Sequence, residues 1–151
     1  MEAVQQKLLV TVGTTHFDEL IDFVVENLYL FAHYKLTMQI GSYSKDLSFY
    51  SINTFDYTSD MERFYIESDY IITHGGSGTI LNALRHNKPV LVIANTRLLG
   101  NHQLELIEKL RTLNLIHTCT LDNFKLKTSK LSKRPKKQPT FTRFIHGLLE
   151  E

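Results

Sequence analysis

Residues 71–79, Ile71-Ile72-Thr73-His74-Gly75-Gly76-Ser77-Gly78-Thr79, carry an apolar run into a glycine-rich turn and then into a segment that can be helical. Glycine lets a backbone come close to a ligand, and a helix start offers unpaired N–H groups with a partial positive charge. The chemistry suited to these residues is the holding of an anion such as a nucleotide diphosphate. Neither common phosphate fingerprint is present. Leu81 stands where G-x-G-x-x-G needs its last glycine, and no Gly-Lys-Ser/Thr follows. The same residues also make a plain strand-to-helix turn, so anion binding requires other residues to converge on the same place.

The elements that would bring them there alternate along the chain. An apolar strand is expected over 7–13, followed by the turn Gly13-Thr14-Thr15, whose hydroxyls and N–H groups could meet a phosphate. Phe17, Leu20, Ile21, Val24, Val25, Leu28 and Phe31 then recur at helical spacing, with Asp18 and Glu19 at the helix start. A second strand is expected over 36–41, a polar loop over 42–48 and a short third strand over 51–57. Ser59 and Glu62 have capping-box spacing, predicting a brief helix to about Glu67. Residues 70–73 form the next strand, 76–86 a helix and 88–94 a buried strand after Pro89. After a loop over 95–100, Asn101 reads as the N-cap of a helix to about Leu113, with Leu104, Ile107 and Leu110 inward. A last short strand covers 115–119, and Phe141, Phe144, Ile145, Leu148 and Leu149 mark an amphipathic helix over 141–150.

Strands alternating with helices predict a Rossmann-like α/β fold: a mostly parallel sheet with helices on both faces. Ligands of such sheets bind beyond the carboxyl ends of the strands. The turn at 13–15, the stretch 74–79 and the stretch 95–103 all follow strands and would open on one edge.

Composition sets the bounds. With 151 residues, 42% hydrophobic and 22% charged, the chain is expected to be a single soluble domain. The single Cys119 cannot form a disulfide within the chain, no apolar run nears the ~20 residues that span a bilayer, and the first residues do not read as a signal peptide. A cytoplasmic protein is the expectation. The net charge of +1 hides a basic stretch at 122–140, where Lys125, Lys127, Lys130, Lys133, Arg134, Lys136 and Lys137 face the lone acid Asp122. That stretch reads either as a solvated loop or as a contact for anionic lipid or an acidic partner. Aromatics are not interleaved with the lysines beyond Phe124, which argues against nucleic acid.

In order and spacing, Val10-Thr11-Val12-Gly13-Thr14-Thr15 with Phe17-Asp18 and Leu20-Ile21, then 72–79, then Lys88-Pro89, then Asn101-His102-Gln103 with Glu105, resemble one family. It is that of the cytosolic UDP-N-acetylglucosamine transferase subunits of dolichol-linked oligosaccharide assembly (asparagine-linked glycosylation). The matching blocks lie within residues 8–105. The family is similar to the C-terminal, nucleotide-sugar-binding half of two-domain bacterial N-acetylglucosaminyltransferases. The resemblance implies a membrane-anchored acceptor-binding glycosyltransferase subunit as partner, at the cytosolic face of the endoplasmic reticulum membrane. The pair would move N-acetylglucosamine from UDP-N-acetylglucosamine to a lipid-linked sugar acceptor, N-acetylglucosaminyl-diphosphodolichol, with inversion and without a metal or other cofactor.

By that resemblance the substrate-binding residues are Gly13, Thr14, Thr15, His74, Gly75, Gly76, Ser77, Gly78, Thr79, Asn82, Asn101, His102, Gln103 and Glu105. The glycine turn would meet the phosphates, and Asn101, His102, Gln103 and Glu105 the sugar, with Gln103 foremost because an amide both donates and accepts. Asn101 also reads as a plain N-cap, and His74 as a satisfied histidine at a strand end. Asn82 stands where the family carries an acid to clasp the ribose, and it lacks a carboxylate's charge and paired oxygens. His16 and Asp18 lie near the first turn, yet neither is singled out as the general base. The same implied partner would dock on 141–150, unless that helix packs on its own sheet. A non-catalytic nucleotide-sugar-binding or interaction module sharing the fold is the competing class; NAD chemistry is disfavoured by the missing fingerprint.

Overall fold

Leucine, isoleucine and valine dominate the inner strands, and side chains on both faces of those strands are buried, as a parallel sheet covered on two sides requires. The structure, a computed structural model, describes residues 5–94 and 100–126. Its elements run β1 Gln6–Thr11, α1 Asp18–Glu26, β2 Tyr34–Gln39, β3 Asn53–Phe55, α2 Met61–Glu67, β4 Tyr70–Thr73, α3 Ser77–Arg85, β5 Val90–Val92, α4 Asn101–Thr112 and β6 His117–Thr118. All pairings among the described strands are parallel, in the order β3-β2-β1-β4-β5-β6. This is a Rossmann-like α/β sheet.

Alternation along each strand divides the core. Leu8, Val10, Ile72 and Leu91 pack with Leu20, Ile21 and Val24 of α1 on one face. Leu9, Ile71, Val90 and Val92 pack on the other with Tyr65 of α2, Ile80, Ala83 and Leu84 of α3, and Leu106, Ile107 and Leu110 of α4. A period of two in the strands thus serves two helical layers. Phe124, at the start of the basic stretch, belongs to the first layer, with its ring 4.8 Å from that of Phe23 and 5.7 Å from that of Phe31. Residues 127–140 of the basic stretch and the expected helix over 141–150 lie outside the described residues.

Several boundaries differ from the sequence expectation for local reasons. The long first helix ends at Glu26, where the Asn27 side-chain Nδ2 donates to the Phe23 carbonyl at 2.8 Å and the Asn27 backbone N–H turns to the Val24 carbonyl at 3.2 Å. A 3-10 turn, Leu28–Phe31, keeps Leu28 and Phe31 against the same core, so the apolar period runs on past the break. The N-cap of α2 is Asp60 rather than Ser59, which moves Glu62 one place too early to close a capping box. Along α4 the buried stripe is Leu106, Ile107 and Leu110, with Leu104 only half-buried. Spacings of three and four return to one face of a helix, whereas Leu104 and Leu110, six apart, diverge.

Candidate functional site

The strands end in line. Thr11 of β1 pairs with Gln39 of β2 and with Thr73 of β4; Gln39 pairs with Phe55, and Thr73 with Val92. The turns after these strands therefore leave from one edge. Strand order reverses between β1 and β4, and the outgoing connections part there, α1 to one face and α3 to the other; ligands of such sheets bind at a switch point of this kind. Gly13-Thr14-Thr15 leaves β1 and the stretch 74–79 leaves β4, so the two candidate phosphate turns flank that switch point.

The imidazole of His74 joins them. Its side chain is buried, and Nδ1 lies 3.1 Å from the Thr73 hydroxyl. Burial pushes the pKa of the ring below the ordinary value, opposed by a hydrogen bond to the Thr11 backbone, so the ring is held neutral. A Cβ on Gly13 would stand 2.5 Å from His74 Cε1, and one on Gly76 2.8 Å from the same atom. Gly13 also has φ +63°, in the left-handed region. Both glycines are what the ring needs in order to fill the space between the turns.

α3 begins at Ser77 with Gly76 as N-cap, and the cap has no side chain to satisfy the first N–H groups. The Ile80 N–H bonds to the Gly76 carbonyl at 3.2 Å, and the N–H groups of Ser77, Gly78 and Thr79 precede the helical ladder. Gly78 is exposed, and a Cβ there would meet nothing within 4 Å, so no protein contact demands a glycine at that place. Asn82 is exposed one turn further along α3 on the same side as Gly78. Thr79 is buried and hydrogen-bonds the phenol of Tyr65. On the first turn, Thr14 is exposed, while the Thr15 hydroxyl donates to the Val12 carbonyl at 3.0 Å.

α4 follows β5, one strand further from the switch point. Its N-cap is Gly100, which makes Asn101 the first helical residue and corrects the capping role expected of Asn101. Gln103 takes over part of that role, its Oε1 accepting the Gly100 N–H at 3.1 Å. His102 and Glu105 are exposed and 3.8 Å apart. Residues 95–99 lie outside the described residues. Among the described residues no cluster of His, Cys, Asp or Glu gathers to hold a metal, and no helix is long and apolar enough to cross a membrane.

Sequence reasoning missed Gln39. It is buried beneath the first turn with both ends of its amide hydrogen-bonded, and its only outward sign was a polar residue late in an apolar strand.

Residues 7–143 match the family described as the glycosyltransferase family 28 C-terminal domain. A mouse protein named UDP-N-acetylglucosamine transferase subunit ALG13 is 32% identical over 126 residues, which cover 76% of this chain and 11% of the mouse protein. The subunit of the same name from Yarrowia lipolytica is 31% identical over 115 residues, covering 68% of this chain and 59% of the relative. The chain thus spans about a tenth of the length of the first and under two-thirds of the second. An NMR solution structure of ALG13 superposes with a TM-score of 0.56 at 23% identity, covering 95% of this chain and 84% of that one, and shows the shared fold.

Proposed function

The chain belongs to the glycosyltransferase family 28 C-terminal domain family, and from that premise we propose that it is the donor-binding part of a UDP-N-acetylglucosamine transferase assembled from more than one subunit. The observation that carries this reading is the convergence of the turn at Gly13, the turn at Gly76 and the start of α4 on one sheet edge, around the switch point. An edge of this kind holds a nucleotide diphosphate through backbone amides and leaves the sugar toward α4.

In the proposed reaction an acceptor hydroxyl oxygen bonds to the anomeric carbon from the side opposite the diphosphate. The bond between that carbon and the phosphate oxygen breaks, and UDP leaves with the electron pair. The N–H groups at the α3 start stabilise the charge that grows on the leaving diphosphate. Thr14 adds a donor from the first turn. Gln103, His102 and Glu105 face the sugar, and Asn82 the ribose. The proton of the acceptor hydroxyl goes to a base on the partner or at the interface. The partner is a membrane-anchored acceptor-binding subunit that recruits this chain to the cytosolic face of the endoplasmic reticulum. The acceptor is N-acetylglucosaminyl-diphosphodolichol, and the linkage formed is β-1,4, in the second step of lipid-linked oligosaccharide assembly.

The test is transfer from radiolabelled UDP-N-acetylglucosamine to that acceptor, with and without the membrane subunit. Transfer that requires both proteins supports the proposal. An assembled pair that binds UDP and transfers nothing would sink it and leave a nucleotide-binding module.

A further inference from the structure

The turn after β1 is fixed by a side chain on another strand. Gln39, 2% exposed, uses both ends of its amide. Its Oε1 accepts from the Thr11 hydroxyl at 2.6 Å and from the Val12 N–H at 3.0 Å. Its Nε2 donates to the Gly13 carbonyl at 2.9 Å and to the Asp56 carbonyl at 2.8 Å. The Thr11 hydroxyl accepts the Gly13 N–H at 3.1 Å, and the Val12 carbonyl accepts the Thr15 N–H at 3.3 Å. Of the amides from Val12 to Thr15, only that of the exposed Thr14 lacks a partner among the described residues.

We propose that Gln39 is a positioning residue of the donor site: it holds Val12 and Gly13 so that the Thr14 N–H is the amide the first turn presents to the diphosphate. This rests on the donor-binding reading above. Gln39 touches no ligand. It binds the end of β1 and the loop after β3 to β2, so that the turn is in place before a ligand arrives, and preorganisation of this kind raises affinity by lowering the ordering cost. Only an amide of this length supplies acceptors at one end and two donors at the other.

Gln39→Glu keeps the shape and reverses the chemistry at one end. Its carboxylate sets an oxygen against the carbonyls of Gly13 and Asp56, where only a protonated acid can donate. UDP is titrated into the full chain at pH 8 and pH 6, following the amide signals of residues 12–15. The expected result is UDP binding about tenfold weaker than wild type at pH 8, with the gap closing as the pH falls. His74, packed against Gly13, is the same in both proteins, so any response of its own to pH cancels in the ratio. Leu36→Ala, three residues earlier on β2, is the stability control; it should melt earlier and bind UDP as wild type. Amide exchange provides an arm without a variant. Val12 and Gly13 should be protected in the free chain, and Thr14 only once UDP is bound.

Equal UDP affinity of Gln39→Glu and wild type at both pH values would overturn the inference and leave the donor reading standing. So would a matching loss in Leu36→Ala, or a Thr14 amide protected without ligand. A wild-type chain that binds no UDP, alone or with its partner, overturns the donor reading and this inference with it.

Discussion

The ring of His74 lies where a side chain on Gly76 would be, with Cε1 2.8 Å from the position of that missing Cβ. Two glycine turns from distant parts of the chain are thereby set around one neutral imidazole. The glycines of the site fall into two kinds, and substitution separates them. Gly13→Ala and Gly76→Ala push the ring out of place, and Gly13→Ala adds strain at its positive φ. Each should lower stability by roughly 1–3 kcal/mol. Gly78→Ala meets open space inside a helix and should be neutral or stabilising by up to about 1 kcal/mol, yet under the proposed function its methyl group stands on the face offered to the anion and should weaken UDP binding. Thermal melts paired with UDP titrations check both halves. A Gly78→Ala chain that binds UDP at full strength would remove that face from the site.

The same imidazole predicts a dependence on acid. Burial lowers the pKa of His74 in the folded chain, whereas in the unfolded chain it titrates near ~6.5. Between those two values the unfolded state binds the extra proton, so stability rises with pH there. The contribution is full above about pH 6.5 and is lost as the pH falls toward the folded value. Denaturant melts at pH 7.5 and pH 5.5 should show the loss. His74→Asn, which cannot take up the proton, should be less stable at pH 7.5 and show a smaller fall between the two. An unchanged fall in the variant would assign the effect to other histidines.

The sheet, and the edge on which its glycine turns gather, were legible in the sequence because alternation of apolar runs with helical stripes needs no long-range knowledge. Gly13, Gly76 and the start of α4 each follow a strand, and parallel strands put such turns on one side. What the sequence hid depends on partners far away in it. Gln39 bonds Thr11 across 28 positions, and a glutamine late in an apolar strand looks the same whether or not such a partner waits. His74 packs against Gly13, a contact that its own neighbours in the sequence do not announce. The break at Asn27 was hidden for the opposite reason: the 3-10 turn returned Leu28 and Phe31 to the core that an unbroken helix would also have reached.

Gln103 has a capping role in the structure and a proposed role toward the sugar, and different substitutions part them. Its Oε1 caps α4 by accepting the Gly100 N–H, and in the proposed reaction its amide meets the sugar. Gln103→Ala removes both and should cost about 0.5–1 kcal/mol of stability, as lost caps do. Gln103→Glu keeps the cap acceptor and loses the N–H donors. If the amide binds sugar, Gln103→Glu should melt like wild type while losing its preference for UDP-N-acetylglucosamine over UDP. Retention of that preference would leave Gln103 as a cap alone.

Asn82 offers the sharpest check on how the nucleoside is held. It is exposed on α3 on the same side as Gly78, so a substitution there disturbs no packing. An asparagine oxygen can accept one ribose hydroxyl, while a carboxylate can accept two with charge assistance, roughly doubling the strength of each bond. Asn82→Asp should therefore tighten UDP binding by about tenfold, the equivalent of roughly 1.4 kcal/mol. It should leave binding of inorganic pyrophosphate unchanged or slightly weaker, since the added charge repels a bare anion. Because that repulsion acts on UDP as well, a net gain for UDP alone isolates the ribose contact. Equal weakening of both ligands would place the ribose elsewhere, and the role carried to Asn82 by resemblance would fall.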